Sequence, residues 1–147
     1  MEIVLYQPEI AGNVGAIIRL AANSGVSLNL IKPFGFDLQE NKIRRAGLDY
    51  HDLSNTKTYN SWEEFTKTHC NKSICCLSSK GKDSYWDTNL NQYDFLLFGP
   101  ESIGLPNEII SSYKTITIPM KENSRSIDLA NSVGIVVFES LWQASVQ

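Results

Sequence analysis

The chain has 147 residues, of which 42% are hydrophobic and 20% are charged, and its formal net charge at pH 7 is −3. This composition predicts one globular domain, residues 1–147, that is long enough to bury a core. It excludes a membrane-spanning helix, because no stretch approaches the roughly 20 consecutive apolar residues that such a helix needs. The amino terminus begins with a strand and lacks the features of a signal peptide, so we expect a cytoplasmic protein.

The three cysteines, Cys70, Cys75 and Cys76, are odd in number and lack metal-ligand spacing. This usage is typical of a protein in a reducing compartment and argues against a disulfide framework. We therefore expect no bound metal.

The charge is uneven along the chain. Residues 10–48 carry five basic and two acidic side chains, whereas residues 49–110 carry five basic and nine acidic ones. The basic amino-terminal third could meet phosphate groups, especially if a symmetric partner doubled it. A solvated surface of mixed charge is the alternative interpretation.

Short β-rich runs alternate with helical segments along the whole chain. We predict strands at Glu2–Tyr6, Ser27–Ile31, Lys57–Tyr59, Ser73–Leu77, Asp94–Phe98 and Lys114–Ile118. We predict helices at Val14–Asn23, Gln39–Ala46, 61–68, Asn107–Tyr113 and Ile127–Ala144, the third of them opened by a Ser-x-x-Glu capping box at Ser61. This alternation predicts an α/β fold with a mostly parallel sheet and helices on both faces.

The last predicted helix is apolar around most of its circumference. Such a helix must be buried on more than one side. One side can pack on the sheet and the other on a second subunit, so we expect a homodimer.

Three loops follow strands whose carboxyl ends should lie at one edge of the sheet, where α/β proteins build ligand sites. The first precedes Asn13, a predicted helix N-cap, and Arg19, and could bind an anion. The second holds Gly99-Pro100, Glu101 and Gly104-Leu105-Pro106. The third follows Ile118-Pro119-Met120 and leads to Ser126, the expected N-cap of the last helix, with Asp128 in its first turn.

Each loop also has a plain structural interpretation. A capped helix with one surface arginine is commoner than a binding site, and Gly-Pro pairs are ordinary punctuation before a helix. The chain lacks the G-x-G-x-x-G and Walker signatures of nucleotide binding.

Together, Asn13-x-Gly15-x-x-x-Arg19, the run Phe98–Pro106, and Ile118–Met120 with Arg125-Ser126 resemble the three motifs of the SPOUT RNA methyltransferases. The runs Ile3–Ile10 and Arg44–His51 resemble the minimal, single-domain TrmL branch of that family. The resemblance covers nearly the whole chain.

This resemblance implies a C-terminal trefoil knot, a homodimer, and S-adenosylmethionine as cofactor without a metal. The implied reaction is methylation of the ribose 2′-hydroxyl of the wobble nucleotide of tRNA, with cytidine or uridine in tRNA-Leu as the expected target. The implied cofactor-binding residues are Leu77, Gly99, Glu101, Gly104, Ile118, Met120, Ser126 and Leu129. The implied tRNA-binding residues are Arg19, Arg44, Arg45 and Arg125, together with Lys42 and Lys121.

Arg19 and Asn13 are the implied catalytic residues. The motif-one arginine is often assigned as general base in this family. A guanidinium is a very weak base that accepts protons poorly near neutrality. We therefore prefer Arg19 as an orienting and charge-stabilising group.

Two positions depart from the family pattern: Asp128 stands where relatives usually have asparagine, and Phe138 where they commonly have tyrosine. These departures leave open a knotted RNA-binding protein with weakened catalysis. A flavodoxin-like or Rossmann-like nucleotide-binding domain is a further alternative.

Overall fold

A computed structural model describes residues 1–37 and 53–147 of the chain. The strands are β1 (Glu2–Tyr6), β2 (Leu28–Ile31), β3 (Thr56–Tyr59), β4 (Ile74–Leu77), β5 (Asp83–Ser84), β6 (Phe95–Phe98) and β7 (Lys114–Thr117). The helices are α1 (Ala11–Ser24), α2 (Trp62–Thr68), α3 (Asn107–Ser112) and α4 (Leu129–Ser145). Two short 3₁₀ helices, Tyr85–Asp87 and Leu90–Gln92, lie between β5 and β6.

The described strands form one seven-stranded sheet in the order β3-β2-β1-β6-β4-β7-β5, and every pairing is parallel. The central strands read as continuous apolar runs because both faces of the sheet are covered. In β6, for example, Phe95, Leu96, Leu97 and Phe98 are all buried. The predicted α/β class is confirmed, and the sheet is parallel throughout its described strands.

Side-chain alternation along the strands divides the core into two layers. Leu96 and Phe98 pack with residues of α1 and α4 on one face. Phe95 and Leu97 pack with Phe65 of α2 and Ile109 of α3 on the other. The helices therefore cover both faces of the sheet, as the sequence predicts.

Two predicted helix starts are wrong. Helix α1 begins at Ala11 rather than Val14, and its N-cap position is Ile10, so Asn13 lies inside the first turn. Helix α4 begins at Leu129 rather than Ile127, and Asp128 rather than Ser126 is its N-cap. The Asp128 carboxylate accepts a hydrogen bond from the Asn131 N–H at 3.0 Å.

The predicted capping residue Ser61 is the N-cap of α2. Ser61 Oγ accepts a hydrogen bond from the Glu64 N–H at 3.1 Å. The Glu64 carboxylate accepts from the N–H of Asn60, one residue before the cap, which closes the box slightly outside its usual position.

The predicted helix Gln39–Ala46 lies outside the described residues. The same holds for Lys42, Arg44 and Arg45, the predicted tRNA-binding residues of that segment.

Candidate active site

A pocket of about 430 Å³ opens at the carboxyl ends of β4, β6 and β7. These three strands are neighbours in the sheet, so their loops meet at one place. The pocket is bounded by the loops after those strands, by the first turn of α4, and by Ile10 and Asn13. All eight predicted cofactor-binding residues line it: Leu77, Gly99, Glu101, Gly104, Ile118, Met120, Ser126 and Leu129.

The volume and the lining suit a small organic ligand. Pockets that bind cofactors commonly measure about 300–1,000 Å³ and combine apolar walls with a few polar groups. Leu77, Phe98 and Leu129 supply buried apolar surface here, and Lys80, Glu101 and Asp128 supply both signs of charge. A zwitterionic or cationic ligand with an apolar ring is compatible with this mixture.

The loop after β6 has a shape that depends on glycine. A Cβ added at Gly99 would lie 2.4 Å from the backbone N of Leu105, which is closer than atoms can approach. Gly104 has φ +69°, in the left-handed region that favours glycine. The Gly104 N–H closes the turn by donating to the Pro100 carbonyl at 3.0 Å.

Glu101 bridges this loop to the segment that precedes α1. Its carboxylate accepts hydrogen bonds from the Glu9 N–H at 2.8 Å and the Ile10 N–H at 3.1 Å. It also accepts from Asn13 Nδ2 at 3.3 Å. The two loops that the sequence identifies separately therefore form one wall of the pocket.

The predicted catalytic pair is separated on α1. Asn13 lines the pocket, whereas Arg19 is an exposed side chain outside the lining set, six residues further along the helix. Arg125 and Lys121 are exposed in the loop between β7 and α4, and Arg125 directly precedes the pocket residue Ser126. The predicted roles of all these residues stay predictions.

The segment Ser78–Lys80, which follows β4 and lines the pocket beside Leu77, is not among the residues predicted from the sequence. Lys80 Nζ donates to Asn107 Oδ1 at 2.9 Å, so its ammonium lies between the β4 loop and the start of α3. The signal was available, because this loop also leaves the carboxyl end of a buried strand.

The buried thiols of β4 do not contribute a nucleophile. Burial raises the pKa of Cys75 and of Cys76 to about 12, so both stay protonated near neutrality. Among residues 1–37 and 53–147, no group of three or more acidic, histidine or cysteine side chains could hold a metal ion. No helix within those ranges is long and apolar enough to cross a membrane.

Comparison with known proteins gives matches over most of the chain. Residues 1–138 match the profile described as the SpoU rRNA Methylase family. A protein of Aeromonas hydrophila named tRNA (cytidine(34)-2'-O)-methyltransferase is 44% identical, over 97% of this chain and 93% of its own. The protein of the same name from Escherichia coli (strain K12) is 39% identical, over 97% of this chain and 92% of its own.

Solved structures agree with these matches. A structure described as "Structural insights into the 2-OH methylation of C/U34 on tRNA" has TM-score 0.92 and 38% identity, with 99% of this chain and 97% of that chain covered. The SpoU methyltransferase AviRb from Streptomyces viridochromogenes, solved in complex with AdoMet, shares the fold. Its TM-score is 0.85 at 23% identity, with 99% of this chain and 58% of that chain covered. The family match over residues 1–138, together with relatives about 40% identical, shows that this chain belongs to the SpoU methylase family.

Proposed function

We propose that this protein transfers a methyl group from S-adenosylmethionine to the ribose 2′-hydroxyl of nucleotide 34 of tRNA. The observation that carries the proposal is the 44% identity, over 97% of the chain, to a tRNA (cytidine(34)-2'-O)-methyltransferase. Cytidine or uridine in tRNA-Leu is the target we expect. The protein would act in the cytoplasm, where tRNA is modified.

The cofactor would lie in the pocket at the ends of β4, β6 and β7. Backbone groups near Ile118 would contact the adenine edge, and Gly99 and Gly104 would let the main chain of the β6 loop approach the ligand; in support, all three residues line the pocket. Bound there, the sulfonium supplies a methyl group on an excellent leaving group. The remaining task of the protein is to bring the 2′-hydroxyl into line with that methyl.

The basic residues would hold the tRNA. Arg19 would orient the ribose or its phosphate and stabilise developing charge, since a guanidinium stays protonated at neutral pH. Arg125 and Lys121 would contact the tRNA backbone from the exposed loop before α4. Arg44 and Arg45 complete the predicted set. The proton of the 2′-hydroxyl would leave to water or to phosphate.

The resemblance to SPOUT methyltransferases supports two further features: a trefoil knot that contains the pocket, and a homodimer. The surface of α4 is consistent with a partner, because Phe138 and Trp142 are 56% and 60% exposed. Large exposed apolar side chains in one stripe are typical of a protein interface. A symmetric partner would also double the basic surface.

The test is transfer of a labelled methyl group from S-adenosylmethionine to total tRNA, followed by nucleoside mapping. We expect the label on the ribose of nucleotide 34. Label on a base, or no label in RNA, would overturn the proposal. Tight RNA binding without transfer would instead indicate a protein that has lost catalysis.

The variant Arg19→Ala separates catalysis from cofactor binding. Because Arg19 lies outside the pocket lining, we expect this variant to lose methyl transfer but to keep binding of S-adenosylhomocysteine, measured by calorimetry. Loss of both activities would mean that Arg19 is required for the structure of the protein.

A further inference from the structure

We propose that Glu101 is a positioning residue for this reaction: its carboxylate fastens residues 9–13 to the β6 loop and so fixes the pocket wall formed by Ile10 and Asn13. This inference deepens the proposed function and rests on it for its kinetic test. Its structural basis is independent of any substrate.

The carboxylate accepts three hydrogen bonds from one short segment. The donors are the Glu9 N–H at 2.8 Å, the Ile10 N–H at 3.1 Å and Asn13 Nδ2 at 3.3 Å. Hydrogen bonds to a charged acceptor are stronger than those between neutral groups. A parallel link reinforces them, since Ser102 Oγ donates to Glu9 Oε1 at 2.6 Å.

Helix α1 has no capping side chain of its own. Its N-cap, Ile10, has no side chain that can accept a hydrogen bond, and its first turn contains no acidic residue. A carboxylate at the start of a helix satisfies free N–H groups and favours the helix dipole. Glu101, 91 residues further along the chain than Ile10, supplies a carboxylate at this helix start and accepts from the N–H groups of the N-cap Ile10 and of the preceding Glu9.

The β6 loop does not depend on Glu101 in the same way. It is closed by the bond from the Gly104 N–H to the Pro100 carbonyl, and Leu105 anchors it in the core with only 4% exposure. Removing the Glu101 carboxylate should therefore release residues 9–13 and leave the loop around Gly99 in place. The part of the pocket formed by the β6 loop would keep its shape, whereas Asn13 would lose its fixed position.

The isosteric variant Glu101→Gln tests directly whether the Glu101 carboxylate holds residues 9–13 in place. One side-chain oxygen becomes an NH₂ donor and faces the donors of residues 9–13, so at least one backbone N–H loses its acceptor. We expect hydrogen exchange at the Glu9 or Ile10 amide to become about tenfold faster or more, with core amides of β6 unchanged. Unchanged exchange at both amides would overturn the proposal without bearing on methyl transfer.

Steady-state kinetics and cofactor binding show whether Glu101 acts on methyl transfer or on cofactor affinity. We expect Glu101→Gln to lower kcat for tRNA methylation by about tenfold or more, because small misplacements near the reacting atoms are costly. The dissociation constant of S-adenosylmethionine should stay within about threefold of wild type. A large loss of cofactor affinity with unchanged kcat would mean that Glu101 contacts the cofactor instead.

Two companion variants complete the design. Ser102→Ala removes only the parallel link, so we expect a smaller change of the same kind in amide exchange and in kcat, and an effect larger than that of Glu101→Gln would contradict the proposal. Glu63→Gln changes an exposed carboxylate on α2, on the opposite face of the sheet, and should leave both measurements at wild-type values. If wild-type protein transfers no methyl group, the proposed function is wrong. Hydrogen exchange at the Glu9 and Ile10 amides still tests whether Glu101 holds residues 9–13 in place.

Discussion

At the residue scale, the pocket depends on a position where no side chain fits. The α-carbon of Gly99 packs so tightly against the backbone of Gly104 and Leu105 that a Cβ would lie 2.4 Å from the Leu105 N. The obstacle is backbone, which cannot swing aside as a flexible side chain can. Gly99 therefore fixes how closely the two ends of the β6 loop approach each other.

We predict that Gly99→Ala opens this loop. Strain of this kind typically destabilises a protein by about 1–3 kcal/mol, and calorimetry should show at least about tenfold weaker binding of S-adenosylhomocysteine, a loss of about 1.4 kcal/mol. The matched control is Gly12→Ala in the first turn of α1, where an added Cβ meets no atom within 4 Å. Equal affinities for the two variants would contradict the assignment of Gly99 to the cofactor site.

At the element scale, one carboxylate joins the amino ends of two central strands. Asp94 directly precedes β6 and accepts hydrogen bonds from the Ser73 N–H at 2.8 Å and Ser73 Oγ at 3.0 Å, just before β4. Lys72 Nζ pairs with the same carboxylate at 3.0 Å. The Asp94 pKa is lowered from 3.8 to about 2. The largest cause is the hydrogen bond from the Ser73 backbone, and the next is the hydrogen bond from Lys72.

We predict an acid-dependent contribution from Asp94. Because its pKa is lowered by folding, the carboxylate stabilises the protein above about pH 4, and this stability is lost as the pH falls toward 2. The side chain is 37% exposed, so screening should reduce the contribution to about 1 kcal/mol or less. Urea unfolding of Asp94→Asn should show a loss at pH 7 that shrinks near pH 2. Asp87→Asn serves as an exposed control, and a loss that is constant with pH would exclude this explanation.

The elements also show what local sequence could predict. The six longer strands are predicted within one residue of their observed bounds. Strands β1, β2, β4 and β6 have the apolar signature of buried parallel strands, whereas β3 and β7 are less buried and rich in threonine, a residue with high β-propensity. Strand β5 was missed because two residues carry no periodicity, and its position is set by pairing with β7. The start of α1 was misplaced because its carboxylate comes from Glu101, and no pattern near Asn13 could reveal that contact.

Most of the candidate site could be predicted from the sequence for a related reason. Parallel strands bring their carboxyl ends to one edge, so punctuated strand ends such as Gly99 and Ile118 could be placed together without knowing the fold in detail. The sequence could not predict how far each residue lies from the pocket. It grouped Asn13 with Arg19, whereas the helix places only Asn13 at the pocket.

At the scale of the whole molecule, the outer stripe of α4 leads to a prediction about assembly. Phe138 and Trp142 are exposed along one side of this helix, and Val146, directly after its end, is exposed too. Val133, Val136 and Val137 are buried in the core. We predict that Trp142→Glu converts a dimer into a folded monomer of 16.5 kDa in sedimentation experiments. Circular dichroism should confirm folding. Leu53→Glu, which changes an exposed leucine outside α4, should remain dimeric, and a monomeric wild type would refute the prediction.

The whole molecule also assembles its pocket from segments that are distant in sequence, from Ile10 to Ser132. A ligand that bridges them binds only the folded chain and must stabilise it by mass action. At 100 times its dissociation constant, S-adenosylhomocysteine should add about 2.7 kcal/mol to the free energy of unfolding. Thermal unfolding should show this shift in wild type and in Arg19→Ala. At the same ligand concentration, tenfold weaker binding limits the shift in Gly99→Ala to about 1.4 kcal/mol. A shift with flavin or NAD, and none with S-adenosylhomocysteine, would identify a nucleotide-binding domain of another class.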